Sequence, residues 1–197
     1  MPNHVYQTAT FTIADPEVRA TIIGLAEKGE SILQHYLPIT KVPNANYAHA
    51  AALEMWGTKW ADYETALQDT TGNEVNVSFT SAWGPADIGL IKLAALLDIH
   101  ITLFWQEEQP LDIGCAIFDG KNGATWAKQY YGDALDAALV RLGSTPYPEQ
   151  EGIDTIDPAT GMSPLDTFYQ NQSDAEHALI DELDTELYEH LAPSLAP

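Results

Sequence analysis

The chain has 197 residues, 29 acidic and 8 basic, for a formal net charge of -21, with 45% hydrophobic side chains. That is enough chain for one domain of moderate core or a domain with an appended segment, and it is too apolar for wholesale disorder. A lone cysteine, Cys115, excludes an intrachain disulfide; no run approaches the roughly 18 apolar residues of a membrane span; and scattered basic residues make no nucleic-acid-binding patch.

Val5 to Ile13 alternates, with Val5, Ala9, Phe11 and Ile13 on one face, and predicts a half-buried strand. Asp15-Pro16-Glu17 supplies an N-cap and a first-turn proline for a helix whose inward stripe is Val18, Ile22, Leu25 and Ala26, ended by Gly29. A loop around Leu37-Pro38 and Pro43 precedes an Ala-rich helix, Tyr47 to Met55, that stops at Gly57. Asp62 to Gln68 and Glu74 to Trp83 read as strands joined by a hairpin turn at Asp69–Asn73. Gly84-Pro85 opens a helix through Leu97, apolar on more than one side. Ile99 to Trp105 alternates again. Ile113 to Phe118 and a run ending at Tyr131 form a further hairpin, and a short helix spans Asp133 to Leu142.

Strand, helix, strand, strand, helix, strand is the ferredoxin-like order. The expected fold is therefore α+β: a ferredoxin-like antiparallel sheet with helices on one face over residues 1–143, plus an extra hairpin. Residues 144–197 are expected to be an acidic linker and a C-terminal amphipathic helix. From Ser144 the prolines Pro146, Pro148, Pro158 and Pro164 punctuate a stretch without periodicity, read as extended. Ser173 and Glu176 make a capping-box pattern ahead of Leu179, Ile180, Leu183, Leu187 and Leu191, which predicts a helix from about Asp174 to Leu191.

Met55-Trp-Gly-Thr-Lys-Trp60 with Asp62-Tyr63, and Phe79-Thr-Ser-Ala-Trp-Gly-Pro85, resemble the two signature stretches of the YubB-type ferredoxin-like domain family. Members of that family are commonly borne by phages and conjugative plasmids. The resemblance covers roughly Met1 to Tyr131. Ser81 interrupts the Thr-Ala pair of the family pattern, and Gly84 and Ala86 replace a Ser and a Pro. It implies a fold and a mobile-element origin, and it carries over no catalytic residues.

Trp56, Trp60 and Trp83 flank chain reversals, where a Trp buries a large apolar area and keeps its indole N–H at a polar edge. Lys59 is placed to stack on a ring or to pair with Asp62 or Glu64. A core corner is the first reading of Trp56, Lys59, Trp60 and Trp83; a Trp-lined small-ligand or nucleotide pocket is the alternative. The six histidines never fall at a tight zinc spacing, and His177 with Asp181, or Glu186 with His190, are expected to be ordinary surface pairs. Glu107, Glu108 and Asp112 are expected in a solvated loop, the alternative being a general acid and base pair if the cluster is enclosed, and Cys115 as an inert buried thiol. No catalytic motif, cofactor site or metal site is expected.

The strongest functional signal is the acidic end. Residues 142–197 hold twelve Asp or Glu and no Lys or Arg. Asp174, Glu176, Asp181, Glu182, Asp184, Glu186 and Glu189 put seven charges on a rise of about 24 Å at 1.5 Å per residue, one per roughly 3.4 Å, close to one DNA strand. The expectation is a non-catalytic cytoplasmic protein of a phage or mobile element. It would inhibit a basic host protein, a nucleic-acid-binding defence or restriction component, by charge mimicry, without binding nucleic acid or membrane itself. The Leu stripe offers a surface for homodimerisation or for packing on its own sheet. A third reading, acidity as adaptation to a salty cytoplasm, predicts an even acidic excess, whereas the first 141 residues carry only -9.

Overall fold

The computed structural model describes residues 3–39, 45–108, 112–146, 148, 153 and 155–191, with side chains of 45–48 excepted. The chain divides into two compact units, Met1–Gln129 and Tyr130–Pro197. The division falls before the short helix that follows the last strand, where the sequence suggests a boundary after residue 143. The fold is α+β, with six strands in one sheet and six helices among the described residues.

In the first unit β1 (His4–Thr12) is followed by α1 (Pro16–Glu27), α2 (Ile32–Tyr36), α3 (Ala45–Trp56), β2 (Tyr63–Thr71), β3 (Glu74–Ala82), α4 (Asp87–Leu97), β4 (His100–Glu107), β5 (Asp112–Asp119) and β6 (Gly123–Tyr131), which ends just past the unit boundary. The strands lie in the order β2-β3-β1-β4-β5-β6. β1 runs antiparallel to both β3 and β4, β2 to β3, and β5 to β4. The hairpin of β5 and β6 thus extends the sheet beyond β4.

Register decides which side chains meet. Val5, Gln7, Ala9 and Phe11 of β1 stand opposite Ser81, Phe79, Val77 and Val75 on one side and Glu107, Trp105, Leu103 and Ile101 on the other. This set, with Ala116 and Phe118 of β5, is buried and forms the core with residues of α1 to α4. α1 and α4 pack on the sheet, and α2 and α3 pack on α4. Gly89 permits the close approach: a Cβ there would sit 2.9 Å from a Leu33 methyl and 3.3 Å from the Trp56 Cα. A polar patch at Gln7 interrupts the apolar face. Gln7 Nε2 donates to Ser81 Oγ at 2.7 Å, and the Ala86 N–H donates to Gln7 Oε1 at 2.9 Å, so the buried amide is paired at both ends.

Local chemistry accounts for most helix ends. Asp15 Oδ1 accepts from the N–H of Glu17 at 2.8 Å and of Val18 at 3.3 Å, with Pro16 at the first helical position. α2 falls where the sequence suggests only a loop. Its signal is Ser31-Ile-Leu-Gln34, with the Gln34 N–H donating to Ser31 Oγ at 2.9 Å. α4 buries Gly89, Leu90, Leu93 and Ala94, while Ile88 and Leu96 are exposed, so its burial is one-sided rather than the expected two-sided.

The second unit contains α5 (Asp133–Arg141) and α6 (Pro164–Leu191), which pack on each other. α6 starts ten residues earlier than the sequence reading puts it, because a capping box at Ser163 precedes the one at Ser173. The Asp166 N–H donates to Ser163 Oγ at 3.1 Å, and the Ser163 N–H donates back to Asp166 Oδ2 at 3.1 Å. Pro164 takes the first helical position, so Ser173 lies inside the helix. The connection before it is not simply extended: Asp157 and Met162 close a turn, with the Gly161 N–H donating to the Asp157 carbonyl at 2.7 Å. Of the acidic residues expected there, Glu149, Glu151 and Asp154 lie outside the described residues.

Candidate functional site

Three features from the sequence are traceable in the structure: the Trp-Lys corner, the acidic group around the β4–β5 connection, and the acidic terminal helix.

The corner is built by the segment that links α3 to β2. The Thr58 hydroxyl donates to the Ala82 carbonyl, and the Ala82 N–H donates to the Trp60 carbonyl at 3.2 Å, pinning this segment on the end of β3. Trp60 presents its ring edgewise to His4 (centroids 5.4 Å) and to Tyr63 (5.8 Å). Lys59 Nζ lies 5.1 Å from the Trp83 ring centroid, a cation–π contact. Of the two roles open to Lys59, the structure shows stacking. Trp83 is 56% exposed and has φ 68, a left-handed conformation rare for a bulky residue, held by its N–H donating to the Asn3 carbonyl at 3.0 Å. Lys59, Trp60 and Trp83 therefore converge. Trp56 does not join them: it is 8% exposed in the core, its Nε1 donating to the Leu37 carbonyl at 3.1 Å.

The sequence offers Asp62, next to this corner, as a partner for Lys59. The structure gives it another role. One carboxylate oxygen accepts from the Ser31 hydroxyl and the other from the Leu33 N–H at 2.8 Å, tying the segment to the start of α2. Burial pushes its pKa up to about 6, against the lowering by those hydrogen bonds. The sequence signal for this contact is weak, since residues 31 and 62 meet only through the packing of α2.

The expectation of a solvated loop at Glu107, Glu108 and Asp112 is overturned for two of the three. Glu107 and Asp112 are buried, whereas Glu108 is exposed. The reason is register: β4 and β5 run to these residues, which places both on the helix-bearing face, the face of Trp105 and Phe118. Each is partnered. Asn3 Nδ2 donates to Glu107 at 2.8 Å; Trp105 Nε1 donates to Asp112 Oδ1 at 3.0 Å, and Gln129 Nε2 to both Asp112 oxygens at 2.9 Å. Burial raises the Asp87 carboxyl at the start of α4, and the Asp112 charge adds to it. Residues 109–111 lie outside the described set. Among the described residues no group of three or more His, Cys, Asp or Glu is placed to hold a metal ion, and Cys115 is buried.

α6 carries all seven acidic residues picked out by sequence, but winds them around its axis. At about 100° per residue, measured from the centre of the buried stripe Ala175, Leu179, Leu183 and Leu187, Glu176 and Glu186 lie about 40° to either side, Glu182 about 80° and Glu189 about 100°. Asp184 lies at about 120°, and Asp174 and Asp181 at about 160° to 180°. Glu176, Glu182 and Glu186 are accordingly half-buried, and Asp174, Asp181, Asp184 and Glu189 are exposed. Glu182 is further engaged by Arg141 in a two-pronged pair at 2.8 and 2.6 Å. The outward row of Asp174, Asp181 and Asp184 spans a rise of about 15 Å, so its charge density is about half that of a DNA strand. Counting charge along the sequence overstates what one face presents. Within this row, partial burial and then the Asp181 charge push Asp184 up.

No helix among the described residues is long and apolar enough to cross a membrane. No family model matches the chain, and no curated protein matches it. A solved structure, protein api92 from Yersinia pseudotuberculosis, described with the DUF1281 family, aligns with 43% of this chain at 20% identity and a TM-score of 0.38. The match spans 30% of that protein's length.

Proposed function

We propose that this protein is a non-catalytic acidic binding protein that occupies a basic surface on a partner, with the outward face of α6 as the contact element. The observation that carries the reading is the row Asp174, Asp181 and Asp184, exposed on a helix without a single Lys or Arg, so that the repulsion within it has no counter-charge along the helix. Such a surface gains from counterion release and electrostatic steering, and the basic groove of a nucleic-acid-binding host protein, of the defence or restriction class, fits it. Inhibition then follows from occupancy and needs no cofactor. A phage or plasmid origin and YubB-type membership belong to the same proposal and rest on the Met55–Trp60 and Phe79–Pro85 stretches. So does the naming of the first unit as ferredoxin-like, which the sheet order β2-β3-β1-β4 and its antiparallel neighbours support.

The test is capture of host proteins on the immobilised chain, eluted in parallel with salt and with duplex DNA, alongside an Asp174→Asn, Asp181→Asn, Asp184→Asn variant. A partner released by DNA, and held far less by the variant, is the expected result. Retention that DNA does not disturb, or that the variant keeps in full, defeats the proposal.

A further inference from the structure

We propose that the aromatic corner of the first unit, built from Tyr6, Trp60, Tyr63 and Trp83, is a docking surface for an arginine-bearing segment of a basic protein. It shares with the reading above only the premise that the partner is basic. Tyr6 is 51% and Tyr63 59% exposed, and with Trp83 they form a concentration of exposed rings at one end of the sheet. Both tyrosines stand opposite Thr80 in register, one on each neighbouring strand, on the sheet face opposite the core shared with α1 to α4. Two strand spacings separate their backbones by about 10 Å; Thr80 between them is buried, and Trp60 lies edgewise against both Tyr63 and His4. The tyrosines therefore offer exposed ring faces to solvent, and a planar group stacks on them from that side. The backbone at this corner is also strained: Trp83 and Glu64 are two of the three non-glycine residues with positive φ among the described residues.

Charge selects the planar group. Glu64 and Glu108 rim the rings, both exposed, and the chain as a whole carries -21. A nucleobase would stack on these ring faces too, but its phosphates would meet this field with Lys59 as a nearby cation. A guanidinium is planar and of the right sign, and Lys59 over Trp83 already shows a cation seated on a ring of this corner.

The experiment compares deca-arginine with deca-lysine, equal in charge, binding to the full chain at 150 mM salt. Arginine is expected to bind about fivefold tighter, from the ring contacts that ammonium groups use less well. A Tyr6→Ser, Tyr63→Ser variant should lose that preference while keeping its lysine affinity; the Asn variant of α6 should weaken both peptides alike and leave the preference intact, which separates failure here from failure of the helix reading. On the unaltered protein the arginine peptide should shift the indole N–H resonances of Trp60 and Trp83 and leave that of Trp56 in place. Equal affinities for the two peptides, a preference that survives the tyrosine changes, or indole shifts absent on saturation each overturn the proposal. So do indole shifts produced by mononucleotides, or self-association that depends on the two tyrosines.

Discussion

Replacing Asp62 with Asn isolates a buried ionisable group. The carboxylate is 8% exposed and accepts from the Ser31 hydroxyl and the Leu33 N–H. Asn keeps this shape: its carbonyl oxygen accepts from Leu33, and its amide donates to Ser31 Oγ, which already accepts from the Gln34 N–H. What disappears is the charge. With a folded pKa of about 6 against an ordinary value of 3.8, the native state binds the proton more tightly than the unfolded chain. Stability from this group is therefore fully present below the unfolded value and is lost as pH rises through about 6. The whole effect is about 3 kcal/mol at most, and the part between pH 7.5 and pH 5 is about 1 kcal/mol. Urea unfolding followed by tryptophan emission at those two pH values, for wild type and Asp62→Asn, measures it; the many other carboxylates titrate in both proteins and cancel. Wild type should gain about 1 kcal/mol over the variant on acidification, and at pH 7.5 the variant should be equal or more stable. A flat difference, or one of opposite sign, would show that Ser31 and Leu33 hold the ion better than burial disfavours it. Asp62→Ala, which strands both donors, should lose about 1–3 kcal/mol at either pH.

Gly114→Ala should destabilise the first unit by about 1–3 kcal/mol in denaturant titration, because a Cβ there would lie 2.3 Å from the Trp105 ring and 2.7 Å from the Lys128 carbonyl; an unchanged midpoint would refute the packing of that indole over the glycine. Asp98→Gly relieves a left-handed C-cap of α4 at φ 51 and should raise stability by about 0.5–1 kcal/mol, seen as a higher unfolding temperature. Ser163→Ala removes the cap of α6, a loss of about 1 kcal/mol; hydrogen exchange should quicken at residues 165–168 and stay unchanged beyond residue 179, whereas a helix that starts near Asp174 would show no change at all.

Alternation, caps and turn residues were enough to place β1, α1, the β2–β3 hairpin, α4, β4 and the β5–β6 hairpin in order, because each depends on neighbours a few residues away. The true start of α6 was legible too: Ser163, Pro164 and Asp166 make as good a cap as Ser173 and Glu176, and Leu165 and Phe168 continue the apolar stripe. Tertiary structure alone decided the rest. Strand register sank Glu107 and Asp112 into the helix-bearing face, the packing of α2 brought Ser31 to Asp62, and the core drew Trp56 away from Lys59, Trp60 and Trp83. The acidic end shows the division most plainly. Composition fixes how many charges the terminal helix carries, since that is a property of the chain. How many of them face one way depends on the helical turn of about 100° per residue and on which side the core claims, and neither can be read from a linear count.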